Sequence, residues 1–162
     1  RKKDYEYIGY LDADLSTPLD EMKKFIKKLK YNKKLFMVMG CRVQRSGANI
    51  QRDDYRHYFG RIFVTVVNNY LEISFYDTQA GAKLFRSSIA KKIFKNEFIT
   101  SWLFDIEIIL MLKKIYKQNI YEFIYEYPLE SWIEKGESKV KLMDIIKIPI
   151  LLRKIKKEYL LF

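Results

Sequence analysis

The chain has 162 residues, 49% hydrophobic and 16% aromatic, with six glycines and three prolines; that suffices for one buried core and excludes a disordered tail. Its formal charge of +11 directs it to something anionic: nucleic acid, an acidic membrane face or a phosphorylated substrate. A single cysteine, Cys41, and a single histidine, His57, exclude an internal disulfide and a Cys/His zinc cluster.

Residues 5–11 form a β-rich run bounded by charge. Residues 18–31, "PLDEMKKFIKKLKY", carry Leu19, Met22, Phe25, Ile26 and Leu29 at helical spacing, with Thr17 as the expected cap and Pro18 at the first helical position. "LFMVMGCR", 35–42, reads as a buried strand. A polar loop follows, then a helix over about 53–72, a turn, a strand at "GAKLF" and a short helix at "SSIAKKIF". "FDIEIILMLKKIY" has the 3.6-residue period, "IYEFIYEYPLE" alternates like a strand, and 140–160 predicts a helix broken at Pro149. His57 and Glu107 are expected on helix surfaces, and Cys41 as inert packing. No repeat, linker or low-complexity run interrupts 1–162, so one domain is expected, of α/β sandwich class with a mostly parallel mixed sheet.

No segment reaches the ~18 uninterrupted apolar residues of a membrane span, and the basic start "RKKDYEY" lacks the apolar region of a signal peptide. The expected location is the cytoplasm, or the cytoplasmic face of a membrane. The tail, Lys139 to Lys157, sets seven Lys/Arg against one acid, Asp144, and interleaves them with aliphatic residues. Such a basic amphipathic helix over 140–162 either lies on an anionic membrane or turns its apolar face into the core.

In parallel α/β sheets ligands sit off the carboxyl ends of strands, where Asp12 and Asp14 of "YIGYLDADLSTP" fall. Two carboxylates one residue apart on a loop make a hard oxygen site suited to Mg²⁺ or Mn²⁺ bridging to phosphate; two solvated turn residues are the alternative. There is no G-x-G-x-x-G and no Walker-type loop.

"LDADLSTP", "GCR", "YDTQAGAKLFR", "WLFDIEI" and "GESK" stand in the order and spacing of family 2 glycosyltransferases of the GT-A fold. Over nearly its whole length the chain resembles their polyprenyl- (dolichyl-) phosphate glucosyltransferase branch. The resemblance implies an inverting transfer of a hexose, glucose by preference, from a nucleoside-diphosphate sugar such as UDP-glucose to a polyprenyl phosphate or a glycan acceptor. It makes Asp12 and Asp14 the metal and nucleotide-sugar motif, and Arg42 and Arg56 the pair that receives the acceptor phosphate, where guanidinium forks match phosphate oxygens. It lays Asp77, Gln79 and Gly81 along the sugar, makes Trp102 a wall of the acceptor pocket and Asp105 the catalytic or acceptor-orienting carboxylate, and puts Ser138 and Lys139 on phosphate in a closing loop. An anionic lipid phosphate needs positioning; a sugar hydroxyl would need Asp105 as general base. Where the mannosyl branch carries an arginine three residues before the glycine of G-x-S-K, this chain has Ile133, which leans toward glucose.

In such a domain the D-x-D strand follows a nucleotide-binding half of about two strand-helix units. The resemblance therefore implies the carboxyl-terminal portion of a GT-A domain, truncated at its N-terminus, inactive alone and prone to self-association through bare sheet edges. The rival class is a basic module binding nucleic acid or anionic membrane without catalysis. No helix-turn-helix, RRM-type aromatic signature or zinc finger supports nucleic acid, which is not expected as a partner.

Overall fold

The structure, a computed structural model, describes residues 4–135 and 142–160. Strands β1 (Tyr7–Leu11), β2 (Met37–Cys41), β4 (Ala82–Arg86) and β5 (Ile124–Pro128) form one sheet in the order β1-β4-β2-β5, while β3 (Asn49–Gln51) and β6 (Ser131–Ile133) pair in a second. β4 runs antiparallel to both β1 and β2, and β2 is parallel to β5. Three of the four strands thus share a direction, giving the mixed α/β sheet that the alternating elements predict.

The two-residue period of the strands sorts side chains onto two faces. Val38 of β2 and Ala82 and Leu84 of β4 meet Phe25 and Leu29 of α1 (Leu19–Tyr31). On the other face Met37, Met39 and Phe85 join a larger core. Its helices are α2 (Asp54–Leu71), α3 (Ser87–Ile93), α4 (Phe104–Tyr116) and α6 (Leu142–Tyr159), with α5 (Ile120–Phe123) a single turn. Helix α4 is buried along most of its length from Asp105 to Leu112. No helix among the described residues is long and apolar enough to cross a membrane.

Local differences from the sequence expectation have physical causes. Pro18, not Thr17, occupies the N-cap of α1, and no side chain caps that end. The chain bends one residue later than expected because Asp14 and Ser16 first close their own turn, Asp14 accepting from the Ser16 amide at 2.9 Å. The alternating run "IYEFIYEYP" is a strand only from Ile124, its first four residues completing α5. Strands β3 and β6, three residues each, are too short to leave a periodic signature. Helix α6 passes through Pro149 without the expected break. Leu152, Ile155 and Tyr159 anchor its second half in the core, and the Tyr159 hydroxyl donates to Glu107 at 3.1 Å. Those residues of the tail therefore take the core alternative.

Candidate active site

Asp12, one residue past β1, donates its amide to the Gly81 carbonyl just ahead of β4 at 2.8 Å. A Cβ at Gly81 would stand 1.8 Å from the Asp12 carboxylate, so this glycine makes room for that side chain. Beyond Asp12 the backbone turns tightly: Leu15 donates to the Asp12 carbonyl and is itself left-handed at φ 53°. A non-glycine residue in that region must be held by its surroundings. Lys135 Nζ, 3.0 Å from the Leu15 carbonyl, and the Ile133 amide, 3.1 Å from the Ser16 carbonyl, hold it from the β6 side. Burial first, then the negative charges of Asp14 and Asp105, push the Asp12 carboxyl above its ordinary range.

The turn opens on a cleft of about 550 Å³. Of the residues selected from sequence, Asp12, Asp14, Arg42, Arg56, Asp77, Gln79 and Trp102 line it. Ser138 and Lys139 lie outside the described residues.

Both arginines of the expected phosphate pair already hold carboxylates. Arg42, at the end of β2, forks onto Asp77 with Nε to Oδ2 at 2.7 Å and Nη2 to Oδ1 at 2.8 Å, and its backbone amide adds a third bond. Burial opposes ionisation of Asp77, but the Arg42 charge and hydrogen bonds outweigh it and hold the carboxyl at about 2. Arg56 Nη1 lies 2.6 Å from Glu134 Oε1, whose other oxygen takes the Asp53 amide. Glu126 on β5 fixes the loop between α2 and β4 by accepting from the amides of Tyr76 and Asp77.

Sequence reasoning passed over Arg52. It follows β3, lines the cleft, and forms no ion pair with a described residue; its Nε is buried without a hydrogen-bond partner. Burial and the neighbouring Arg42 charge lower its pKa. Gly60 gives it room: a Cβ there would come 2.7 Å from the Arg52 Nη2. Two further cleft-lining residues carry buried unpartnered donors, Gln79 at Nε2 and Trp132 at Nε1. Buried donors without acceptors are costly, and three of them around one cleft favour a ligand rich in acceptor oxygens. The signal available in sequence was an arginine four residues before Arg56, in the link ahead of the helix.

Asp105 opens α4 as expected but stands behind the cleft rather than on its lining. Its Oδ1 is 2.6 Å from Lys83 Nζ and also takes the Tyr10 hydroxyl. Lys83 is wholly buried and spends a second bond on the Ala80 carbonyl at 2.7 Å. Burial first, then the Asp105 charge, push the Tyr10 phenol upward, so it stays a donor. Glu107, expected on a helix surface, is instead fully buried and accepts from the Ile99 and Thr100 amides, the Thr100 hydroxyl and Tyr159. Cys41 is buried, and burial with the nearby Asp77 and Glu126 charges pushes its thiol to about 12, which keeps it unreactive near neutrality.

Among the described residues no cluster of three His, Cys, Asp or Glu side chains is placed to hold a metal. The two carboxylates of Asp12 and Asp14 nevertheless fit a hard divalent cation, which commonly takes one or two protein carboxylates and fills its shell with water and phosphate oxygens. Burial raises the Asp12 carboxyl most, and the charges of Asp14 and Asp105 add to it; such a cation would offset the second of these.

No family model matches the chain. It is 32% identical over 150 residues to "Dolichyl-phosphate beta-glucosyltransferase ALG5C" of Trichomonas vaginalis, across 90% of this chain and 42% of that protein. It is 31% identical over 146 residues to ALG5A of the same organism, across 88% of this chain and 43% of the relative, and 30% identical over 151 residues to ALG5D. The chain thus spans less than half the length of these curated relatives, and about nine-tenths of it is similar to proteins named as glucosyltransferases.

Proposed function

We propose that this chain carries the metal and acceptor side of a family 2, GT-A-fold glycosyltransferase that moves glucose from UDP-glucose to a dolichyl or polyprenyl phosphate at the cytoplasmic face of a membrane. The observation that carries the reading is the cleft itself, whose lining joins Asp12 and Asp14 to the buried unpartnered donors of Arg52, Gln79 and Trp132. The relatives' printed names supply the acceptor class.

In this reading Asp12 and Asp14 would hold Mg²⁺ or Mn²⁺, which when bound offsets negative charge on a departing diphosphate. Gln79 offers hydrogen bonds to sugar hydroxyls, and Trp102, beside Phe63 at 5.7 Å between ring centres, gives the acceptor an apolar wall. Arg42 and Asp77 neutralise each other and keep the cleft floor rigid, while Arg52 meets the acceptor phosphate and Arg56 stands beside it. The acceptor oxygen is already anionic, so its attack on the anomeric carbon, with inversion, needs no proton removed. Asp105, held by Lys83 and Tyr10 behind the cleft, acts as a positioning residue: Tyr10 lies on β1, two residues before Asp12. By the same reading base recognition belongs to the donor half of the domain, and this chain alone does not turn over.

The test uses the native polypeptide in membranes supplied with UDP-glucose and polyprenyl phosphate. Formation of a glucosyl lipid that needs Mn²⁺ or Mg²⁺ and is lost in Asp14→Ala is expected. Failure to glycosylate a lipid phosphate from any nucleotide sugar would overturn the reading; full activity in Asp14→Ala would overturn the metal assignment.

A further inference from the structure

Helix α2 is apolar on two opposite faces. Val64, Val67 and Leu71 are buried against the core. On the far side Tyr55, Phe59, Ile62, Val66 and Tyr70 recur at steps of three and four residues. At ~100° per residue these five fall within an arc of about 80°, and at 1.5 Å per residue they run for about 22 Å. They are exposed, Tyr55 by 75%, Ile62 by 63% and Val66 by 54%. A contiguous stripe of this kind is costly in water and marks a surface that something covers.

We propose that this face of α2 seats the chain on the surface of an anionic bilayer, with the mouth of the cleft turned toward the lipid. Three features choose that occupant. The first is charge: from Tyr55 to Leu71 the helix has no carboxylate and carries Arg56 and Arg61. Alongside it, Lys156 of α6 donates to the Tyr70 carbonyl at 2.8 Å, and residues 146–160 hold five Lys/Arg against Glu158. A second copy of the chain would bring +11 against +11, whereas an anionic lipid surface complements it. Second, the stripe pairs tyrosine and phenylalanine with aliphatic residues, the composition that settles at the boundary of headgroup and acyl chain. Third, Tyr55 and Phe59 belong to the stripe and also line the cleft. The stripe and the cleft therefore share two aromatic residues, which give a lipid-borne phosphate an apolar step from the outer face of α2 to the cleft. The tail helix, for which the sequence offers a membrane face or a core face, buries Leu152, Ile155 and Tyr159, and among residues 146–160 its exposed large apolar side chains are Ile146 and Ile150; the longer exposed stripe is that of α2.

The inference rests on the lipid-phosphate reading for its purpose, but its test requires no turnover, so the two fail separately. The chain is sedimented with phosphatidylcholine vesicles and with vesicles that also contain phosphatidylserine. It is expected to follow the anionic vesicles, and Ile62→Asp with Val66→Asp, at two exposed positions off the cleft lining, is expected to lower that partition about tenfold. Ile115→Asp, at an exposed site on α4, is expected to bind like the parent. Ile62→Trp reads the same face without an added charge, its emission shifting to the blue on anionic vesicles alone. Equal partition of parent and double variant, or an unmoved tryptophan, overturns the proposal. So does a lipid-free dimer that the double variant converts to monomer, which would assign the face to a second copy.

Discussion

Lys83 Nζ lies 2.6 Å from Asp105 Oδ1, and the lysine side chain that reaches it has no contact with solvent. The pair joins β4 to the first turn of α4, bringing together residues 22 apart in sequence across the larger core. Removing one partner of a buried pair leaves the other charge uncompensated, at a cost of about 3–5 kcal/mol, while replacing both with apolar or neutral groups is often far milder. Lys83→Met is therefore expected to lose stability on that scale in urea denaturation, and Lys83→Met with Asp105→Asn to recover much of it. Equal losses in single and double variants would mean that the two residues are not coupled.

The Arg42–Asp77 fork sets an acid limit. Asp77 is held at about 2 against an ordinary 3.8, so the stabilisation it provides is complete above about pH 4 and drains away as pH falls toward about 2. The shift corresponds to roughly 2 kcal/mol. Asp77→Asn is expected to be less stable than the parent at about pH 6, with the difference in melting temperature shrinking steadily below about pH 4. A difference that stays constant through that range would place the effect elsewhere than in this ion pair.

Arg52 separates binding from stability. Its Nε is buried without a partner and its charge faces that of Arg42, so Arg52→Gln is expected to leave the melting temperature unchanged or raised. The same substitution removes a charge-assisted bond of about 1.5–3 kcal/mol, and affinity for a soluble short-chain prenyl phosphate, measured by titration calorimetry, is expected to fall about tenfold or more. Lost stability with unchanged affinity would mark Arg52 as a structural residue.

Gly81 tests the placement of Asp12. Because a Cβ at that position would come 1.8 Å from the carboxylate carbon and oxygens at their nearest, Gly81→Ala must displace Asp12 or the strand beneath it. The expected cost is about 1–3 kcal/mol, with weakened Mn²⁺ binding seen by electron paramagnetic resonance. A variant with the parent's melting temperature and Mn²⁺ affinity would show that Asp12 moves aside freely.

The site was legible in part. The D-x-D turn at the end of a strand, the Asp105 helix start and the glycine before "AKLF" follow from local spacing and residue type; of these the D-x-D turn lines the cleft, Gly81 makes room for Asp12, and Asp105 stands behind the lining. Arg52 was missed because a spacing of four residues from Arg56 does not stand out among 31 Lys/Arg, and its lack of an ion pair with a described residue appears only in the fold. The role of Glu107 was missed because its position on the helical repeat says nothing of Thr100 and Tyr159, which surround it.

By itself the sequence determined the succession of the longer strands and helices, though not β3, β6 or α5, since hydrophobic period and chain punctuation act within one element and need length to show. It also determined the surplus of positive charge, and the position of Asp12 and Asp14 just past a strand. Only the tertiary structure decided which charges meet: Arg42 with Asp77 across 35 residues, Arg56 with Glu134 across 78, and Lys83 with Asp105. It likewise decided which apolar face of α2 enters the core and which looks outward, because a helix with two apolar faces carries no instruction about its own orientation. Pairing and burial are distances between elements, and a linear pattern of residues does not contain them.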